Sequence, residues 1–203
     1  TSPTLAAAMA TAQTFAGGPH KIIIMEGSYS DHSLVFTGPS MVDEIYGDPA
    51  AAPGTIVFTQ PAGPAKNFMT CWKGLVSLKN FDVVGYGGAA FIGNGAAGLT
   101  IEDINIRGAS GWGVDLSGTS GATVDGLSFV KLDKGIYGNG VTGATIQNLT
   151  FDSCTVGVEL YNFTTGGVID NLSVVRGTYG IYLDGGSTGA MVQNCTVDGM
   201  SLQ

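Results

Sequence analysis

The feature that most constrains this chain is a registry. From Gly98 onward the sequence falls into rows that open at Gly98, Gly121, Gly143, Gly166 and Gly189, spaced by 23, 22, 23 and 23 residues. Ile101, Val124, Ile146, Ile169 and Val192 share one column, and Ile104, Leu127, Leu149, Leu172 and Cys195 another. Ile106, Phe129, Phe151, Val174 and Val197 form a third. Val114, Ile136, Val158 and Ile181 form a fourth, each preceded by a glycine (Gly113, Gly135, Gly157, Gly180). A fixed period in the twenties marks a solenoid, in which each repeat buries its apolar face only against its neighbours.

The local period decides which solenoid. Each row holds two short apolar pieces, such as residues 144–151 and 157–160, in which Val, Ile, Thr and Phe alternate with small or polar residues. That is strand chemistry. Gly, Asn, Asp and Ser stand where strands should break, and no row has room for a helical pattern. The expected fold is all-β: a parallel β-helix of roughly 23-residue coils, with equal columns stacked at the interstrand distance of about 4.8 Å. Asp103, Gly126, Asn148, Asn171 and Asn194 lie five positions after each row-opening glycine, with Asn80 one period earlier. These residue types accept a left-handed backbone, and the spacing predicts an internal polar ladder at a sharp corner.

Composition narrows the function. A chain of 203 residues suits one domain. With 12% charged and 44% hydrophobic residues it is not a disordered composition. A net charge of −8 disfavours nucleic acid as a partner, because such binding relies on neutralising phosphates. No apolar run approaches the roughly 18 residues of a membrane span. Three cysteines argue against a disulfide framework, and Cys195, in an inward column, is expected to be a small buried hydrophobe. His20 and His32 have no partner at metal-ligand spacing.

The domain reads in three parts: a capping helix in 1–20, irregular first coils with a Pro-rich loop in 21–73, and regular coils in 74–203. Residues 4–15 are Ala-rich, with Leu5, Ala8, Met9, Ala12 and Phe15 on one face. A helix here would cover the open end of the first coil. Residues 21–25 read as a buried strand, 26–29 as a turn and 33–36 as a second strand. Residues 38–73 hold Pro39, Pro49, Pro53, Pro61 and Pro64, and prolines are excluded from interior strands. They are expected to form irregular coils or a lateral loop around one strand at 54–59, either flanking a binding surface or merely as a packing excursion. The opening at Thr1 reads as a processed or trimmed terminus. The stop at Gln203 within a coil reads as a piece of a longer chain, or as an end covered by another chain.

The Ala-rich helix, Gly17-Gly18, the aliphatic strand and Gly27-Ser28-Tyr29 together resemble the entry of pectin-lyase-like right-handed parallel β-helix proteins. The resemblance spans residues 5–197. It implies a right-handed helix capped by the N-terminal α-helix. It also implies a setting among polysaccharide lyases, hydrolases, epimerases and bacteriophage tailspikes. No family catalytic signature carries over residue by residue.

Inward columns are core, so chemistry must come from outward ones. Asp115, Tyr137, Glu159 and Tyr182 share an outward column, with Asp184 just beyond. Asp115 and Glu159, two coils or about 9.6 Å apart, sit at the upper edge of the separation of acid and base in inverting glycosidases. They are the candidate catalytic pair, with Tyr137 and Tyr182 as platforms for sugar rings. A second column reads Lys79, Glu102, Asp125, Gln147, Asp170, Gln193. Glu102 and Asp125, one coil apart, could bind substrate or hold a calcium ion with neighbouring carbonyls; no other cofactor is expected. The bland alternative is that both columns are solvated faces. Asn105, Ser128, Thr150, Ser173 and Thr196 form a hydroxyl-bearing ladder with no implied chemistry. Arg107 and Arg176 have no clear place beside either column, which weakens a lyase reading.

By analogy within the resemblance, low charge and sparse decorating loops favour a tailspike or virion fibre domain over a free enzyme. Its partners would be a host surface glycan and a homotrimer or other virion proteins, and its place the virion tail surface. The alternatives are a secreted polysaccharide lyase or glycoside hydrolase, and a purely structural module.

Overall fold

The structure, a computed structural model, describes residues 4–12, 20–31, 33–36, 42–60, 62–71, 77–108, 111–163 and 166–199. One helix, α1 (Leu5–Ala12), precedes the coils. The first coil is β1 (His20–Ile24), β2 (Gly27–Tyr29) and β3 (Leu34–Phe36). The second is β4 (Val42–Gly47), β5 (Ile56–Thr59) and β6 (Met69–Cys71). The third is β7 (Ser77–Val84) and β8 (Phe91–Ile92), and the fourth β9 (Thr100–Arg107) and β10 (Trp112–Asp115). The fifth holds β11 (Thr123–Asp125), β12 (Ser128–Val130) and β13 (Lys134–Asn139). The sixth holds β14 (Thr145–Asp152) and β15 (Val156–Tyr161), and the seventh β16 (Val168–Val175) and β17 (Tyr179–Asp184). β18 (Met191–Gln193) and β19 (Thr196–Asp198) begin an eighth.

These strands form two parallel sheets, one of 12 strands and one of 7, whose order follows the coils. The pairing is the row registry. Ile101 faces Val124, which faces Ile146, then Ile169 and Val192. Val114, Ile136, Val158 and Ile181 stack in the second sheet. All but the last members of these columns are buried in one continuous core.

The larger sheet bends at the predicted corner. Asn80, Asp103, Gly126, Asn148, Asn171 and Asn194 all have φ between 51° and 68°. The ladder is not internal, however. Asp103, Asn148, Asn171 and Asn194 are exposed, and only Asn80 is half-buried. The left-handed residue carries its side chain on the convex side of the bend, while the residue immediately after it (Phe81, Ile104, Leu127, Leu149, Leu172) fills the core. The amides still chain together outside: Asn171 Nδ2 donates to Asn148 Oδ1 at 2.8 Å, and Asn148 Nδ2 to Asp125 Oδ1 at 2.7 Å.

The glycine column has a packing cause. A Cβ at Gly135 would fall 2.3 Å from Phe151 Cε1 and 2.7 Å from the Gly157 carbonyl oxygen; one at Gly113 would fall 2.5 Å from Phe129 Cε1. Phe129 and Phe151 stack at 4.8 Å with their planes 4° apart. They press on the opposite wall where only a bare backbone fits.

Three expectations are corrected. Residues 27–29 form a strand, β2, paired with β5 rather than a turn. Residues 42–47, 56–59 and 69–71 are strands of the second coil, so the described part of this stretch holds three strands separated by two loops rather than one strand in a lateral loop. Pro49, Pro53 and Pro64 fall in those loops and leave the strands free. Cys195 is half-buried, because among the described residues no coil covers the eighth; Val192 and Val197 beside it are 44% and 48% exposed. Residues 13–19, including Phe15 and the Gly-Gly-Pro stop, lie outside the described residues, as do His32, Pro39 and Pro61.

α1 packs on β1 and sinks Leu5 and Met9 into the core. Its first turn is capped twice. Thr4 Oγ1 accepts from Ala7 N at 3.1 Å, and the Asp31 carboxylate accepts from Leu5 N at 3.1 Å and Ala6 N at 3.3 Å.

Gly135→Ala should cost about 1–3 kcal/mol by overpacking, read by chemical denaturation; a variant as stable as the parent would refute the contact. Deleting residues 1–17 should expose the first coil and cause association, measurable by light scattering. A monodisperse, equally stable product would remove α1 from the capping role.

Candidate functional site: an aromatic wall

The outer face of the seven-stranded sheet carries the predicted column. Asp115 pairs with Tyr137, Tyr137 with Glu159 and Glu159 with Tyr182. Alternation along each strand sends these side chains outward while Val114, Ile136 and Val158 go in. The same register brings up residues that sequence reasoning missed. Trp112 lies beside Lys134, and Tyr161 lies between Asn139 and Asp184. The signal was present: strand positions three before and two after the recognised column.

The rings form a strip. Trp112 and Tyr137 lie 4.5 Å apart, Tyr137 and Tyr161 6.3 Å, and Tyr161 and Tyr182 6.0 Å; Tyr179 lies 6.1 Å from Tyr182. Lys134 Nζ sits 5.1 Å from the Trp112 ring centre and 4.7 Å from that of Tyr137. At its N-terminal end the strip opens on a recess of about 280 Å³ lined by Asn67, Gly88, Ile92, Trp112 and Asp115. The loop after β5 walls this recess and is pinned by side-chain amides. Gln60 Oε1 accepts from Lys66 N at 3.0 Å and Gly87 N at 2.8 Å, and Asn67 Oδ1 from Ala89 N at 2.9 Å.

The two candidate catalytic carboxylates differ. Asp115 Oδ1 accepts from Ser117 N at 2.9 Å and Ser117 Oγ at 2.6 Å, which locks the side chain at the edge of the recess. Glu159 is engaged on both sides, by Lys134 Nζ at 2.8 Å and by Tyr161 Oη at 2.8 Å. That bond, then burial, pushes the Tyr161 phenol up to about 12. Tyr182 donates to Asp184 Oδ2 at 3.0 Å, and this bond raises its pKa too. Both phenols therefore keep their protons at neutral pH and act as donors. Register places the Tyr137 ring between Asp115 and Glu159, in the space a glycosidase leaves for sugar and water.

The second column is in register but disperses its charge. Lys79 Nζ meets Glu102 at 2.5 Å. Asp125 is gripped by Gln147 Nε2 at 2.8 Å and Asn148 Nδ2 at 2.7 Å. Asp170 is gripped in the same way by Gln193 at 3.0 Å and Asn194 at 2.8 Å, and these two bonds hold its carboxyl below the ordinary range. Glu102 and Asp125 each answer to their own donors. Among the described residues no three metal-ligating side chains gather anywhere. The two arginines lie along the larger sheet, away from the aromatic wall: Arg107 meets Asp82 at 2.5 Å and Arg176 meets Asp152 at 2.5 Å.

The family description "right handed beta helix region" matches residues 74–201. The chain belongs to that family. No curated protein matches. Among solved structures, the pectin methylesterase from Aspergillus niger is similar over 98% of this chain and 88% of its own, at 14% identity and a TM-score of 0.45. At that distance nothing of the esterase's chemistry transfers.

Lys134 and Glu159 are only 21% and 12% exposed in their side chains, so each depends on the other. Lys134→Met should lower stability by about 1–3 kcal/mol by leaving the carboxylate without its cation, and adding Glu159→Gln should restore much of the loss. Additive effects in this double-mutant cycle would mean that the pair does not hold the wall together.

Proposed function

We propose that the aromatic wall recognises polysaccharide, and that the domain is a surface-displayed β-helix of the tailspike or virion fibre kind that docks on a host glycan. The observation that carries this reading is the segregation of aromatic side chains. Among the described side chains the phenylalanines fill the core, whereas four of the seven tyrosines and Trp112 line one outward wall. Outward rings that gain nothing from core packing are natural platforms for the apolar faces of sugars, and their polar tips, with Asp115, Asn139 and Asp184, supply hydrogen bonds to hydroxyls. The virion setting, the homotrimer and the tail location rest on the resemblance and on the low charge.

Binding is favoured over cleavage by the state of Glu159. An acid catalyst must be free to give a proton to the leaving oxygen, and both Glu159 oxygens are committed to Lys134 and Tyr161. A secreted lyase or glycoside hydrolase is the second reading, favoured only by the Asp115 carboxylate lining the recess.

A glycan array spanning neutral, acidic and amino polysaccharides separates these readings. Binding should be lost with Tyr137→Ala and nearly unchanged with Asp115→Asn or Glu159→Gln. Turnover of a bound glycan that falls by orders of magnitude in the two carboxylate variants would establish the hydrolase instead. Unchanged binding by all three variants would leave the wall inert.

A further inference from the structure

A different part of the molecule holds a buried charge. Among the described residues Asp82 is the only charged side chain in the core, at 3% exposure. In a chain with so few charges, a buried carboxylate needs a cause, since burial is costly even with partners. Asp82 has partners: Asn105 Nδ2 donates to Oδ1 at 2.8 Å and Arg107 to Oδ2 at 2.5 Å. It also lines a recess of about 230 Å³ at the bend of the larger sheet, away from the aromatic wall.

The recess exists because of an insertion. Tyr46 pairs with Lys79 and Val57 with Asp82, so the second coil spends ten residues (47–56) where the third spends two (80 and 81). The extra chain folds over the following corners, and Ala51, Pro53, Gly54 and Ile56 form one side of the recess. That side is preformed. Asp48 Oδ1 accepts from Ala50 N at 2.9 Å, Thr55 Oγ1 donates to Ala52 O at 2.7 Å, and Glu26 Oε1 accepts from Thr55 Oγ1 at 3.3 Å.

The opposite side carries a second, independent mark. The corner column is Asn or Asp in every coil from the third onward except the fifth, where it is Gly126. Gly126 lines the recess. A Cβ there would come within 2.6 Å of Asp103 Oδ1. Its φ of 68° is one that Asn adopts in the same column, so backbone geometry does not demand glycine. The missing side chain keeps the recess open and leaves the Asp103 carboxylate room beside it.

We infer that this corner recess is a binding site for a single neutral or amine-bearing sugar ring, distinct from the aromatic wall. The volume lies below the roughly 300–1,000 Å³ of sites for drug-sized ligands, so it takes one ring rather than a chain. The Asp103 carboxylate and the carboxamide oxygens of Asn80 and Asn105 present acceptors to ring hydroxyls, and Asp82 holds Asn105 in place. The loop's alanines, proline and Ile56 supply an apolar side. Arg107 is paired with Asp82 and does not line the recess, whereas the Asp103 carboxylate does, so a uronate is repelled.

The test is an amide-resolved NMR titration of the whole chain with methyl glucoside, glucosamine and galacturonate, each to millimolar concentration. The backbone amides of Gly54 and Gly126 and the Asn105 carboxamide should shift with one or both of the first two and not with galacturonate. Gly126→Asn restores the column residue, keeps the fold, and should weaken that binding at least about tenfold. Asn105→Leu should do the same, and Tyr137→Ala should leave it intact, which separates this site from the wall. The inference is overturned if no probe moves these resonances, if galacturonate binds as well as glucosamine, or if Gly126→Asn binds like the parent with an unchanged melting temperature.

Discussion

The narrowest point of the core governs the rest. Each coil must bring two strand segments and a third wall round the same axis, and Phe129 and Phe151 reach across until they touch the backbone of Gly113 and Gly135. Because the strands are parallel and in register, that contact repeats coil by coil, with Val174 and Val197 in the later ones. Nothing in this arrangement is adjustable residue by residue. A slip of one position would turn the apolar columns outward along a whole strand. The fixed period of 22 or 23 residues is the length of chain that closes this triangle.

That rigidity lets the outside carry chemistry. Once the inward positions are fixed, outward residues of successive coils are held about 4.8 Å apart with no loop to position them. On the larger sheet the chain uses this to neutralise itself. In its outward column each carboxylate meets an amide pair or a cation from an adjacent coil, as Asp125 and Asp170 do with Gln-Asn dipeptides. On the smaller sheet it aligns rings instead, and Lys134, lying over two of them, ties the strip to Glu159. The two loops of the second coil then add depth, one beside Trp112 and Asp115, the other over Asp82.

The registry made the fold legible, because periodic burial is written in residue type. The outward column Asp115, Tyr137, Glu159, Tyr182 followed from the same arithmetic. What stayed hidden depended on side-chain reach. Lys134 was invisible as a site residue because its column partners are Trp112, Val156 and Tyr179, which share no chemistry with it. The Glu102–Asp125 pair looked like two confronted carboxylates, because sequence does not show that Gln147 and Asn148 turn toward Asp125. The corner asparagines were placed on the wrong side of the bend. A left-handed φ is readable from residue type, but the direction of the side chain is set by what already fills the core. The second coil was obscured by its prolines, which mark the inserted loops and not the strands between them.

The central claim is that one wall, and not the solvated faces in general, meets glycan. The most direct measurement is a crystal structure of the domain soaked with oligosaccharides of a polysaccharide that it retains. The account predicts a sugar chain running along the solenoid axis over Trp112, Tyr137, Tyr161 and Tyr182, with a hydroxyl on Asp115 Oδ2. A chain bound on the larger sheet, over the Asp125 and Asp170 column, with the aromatic wall empty, would contradict it.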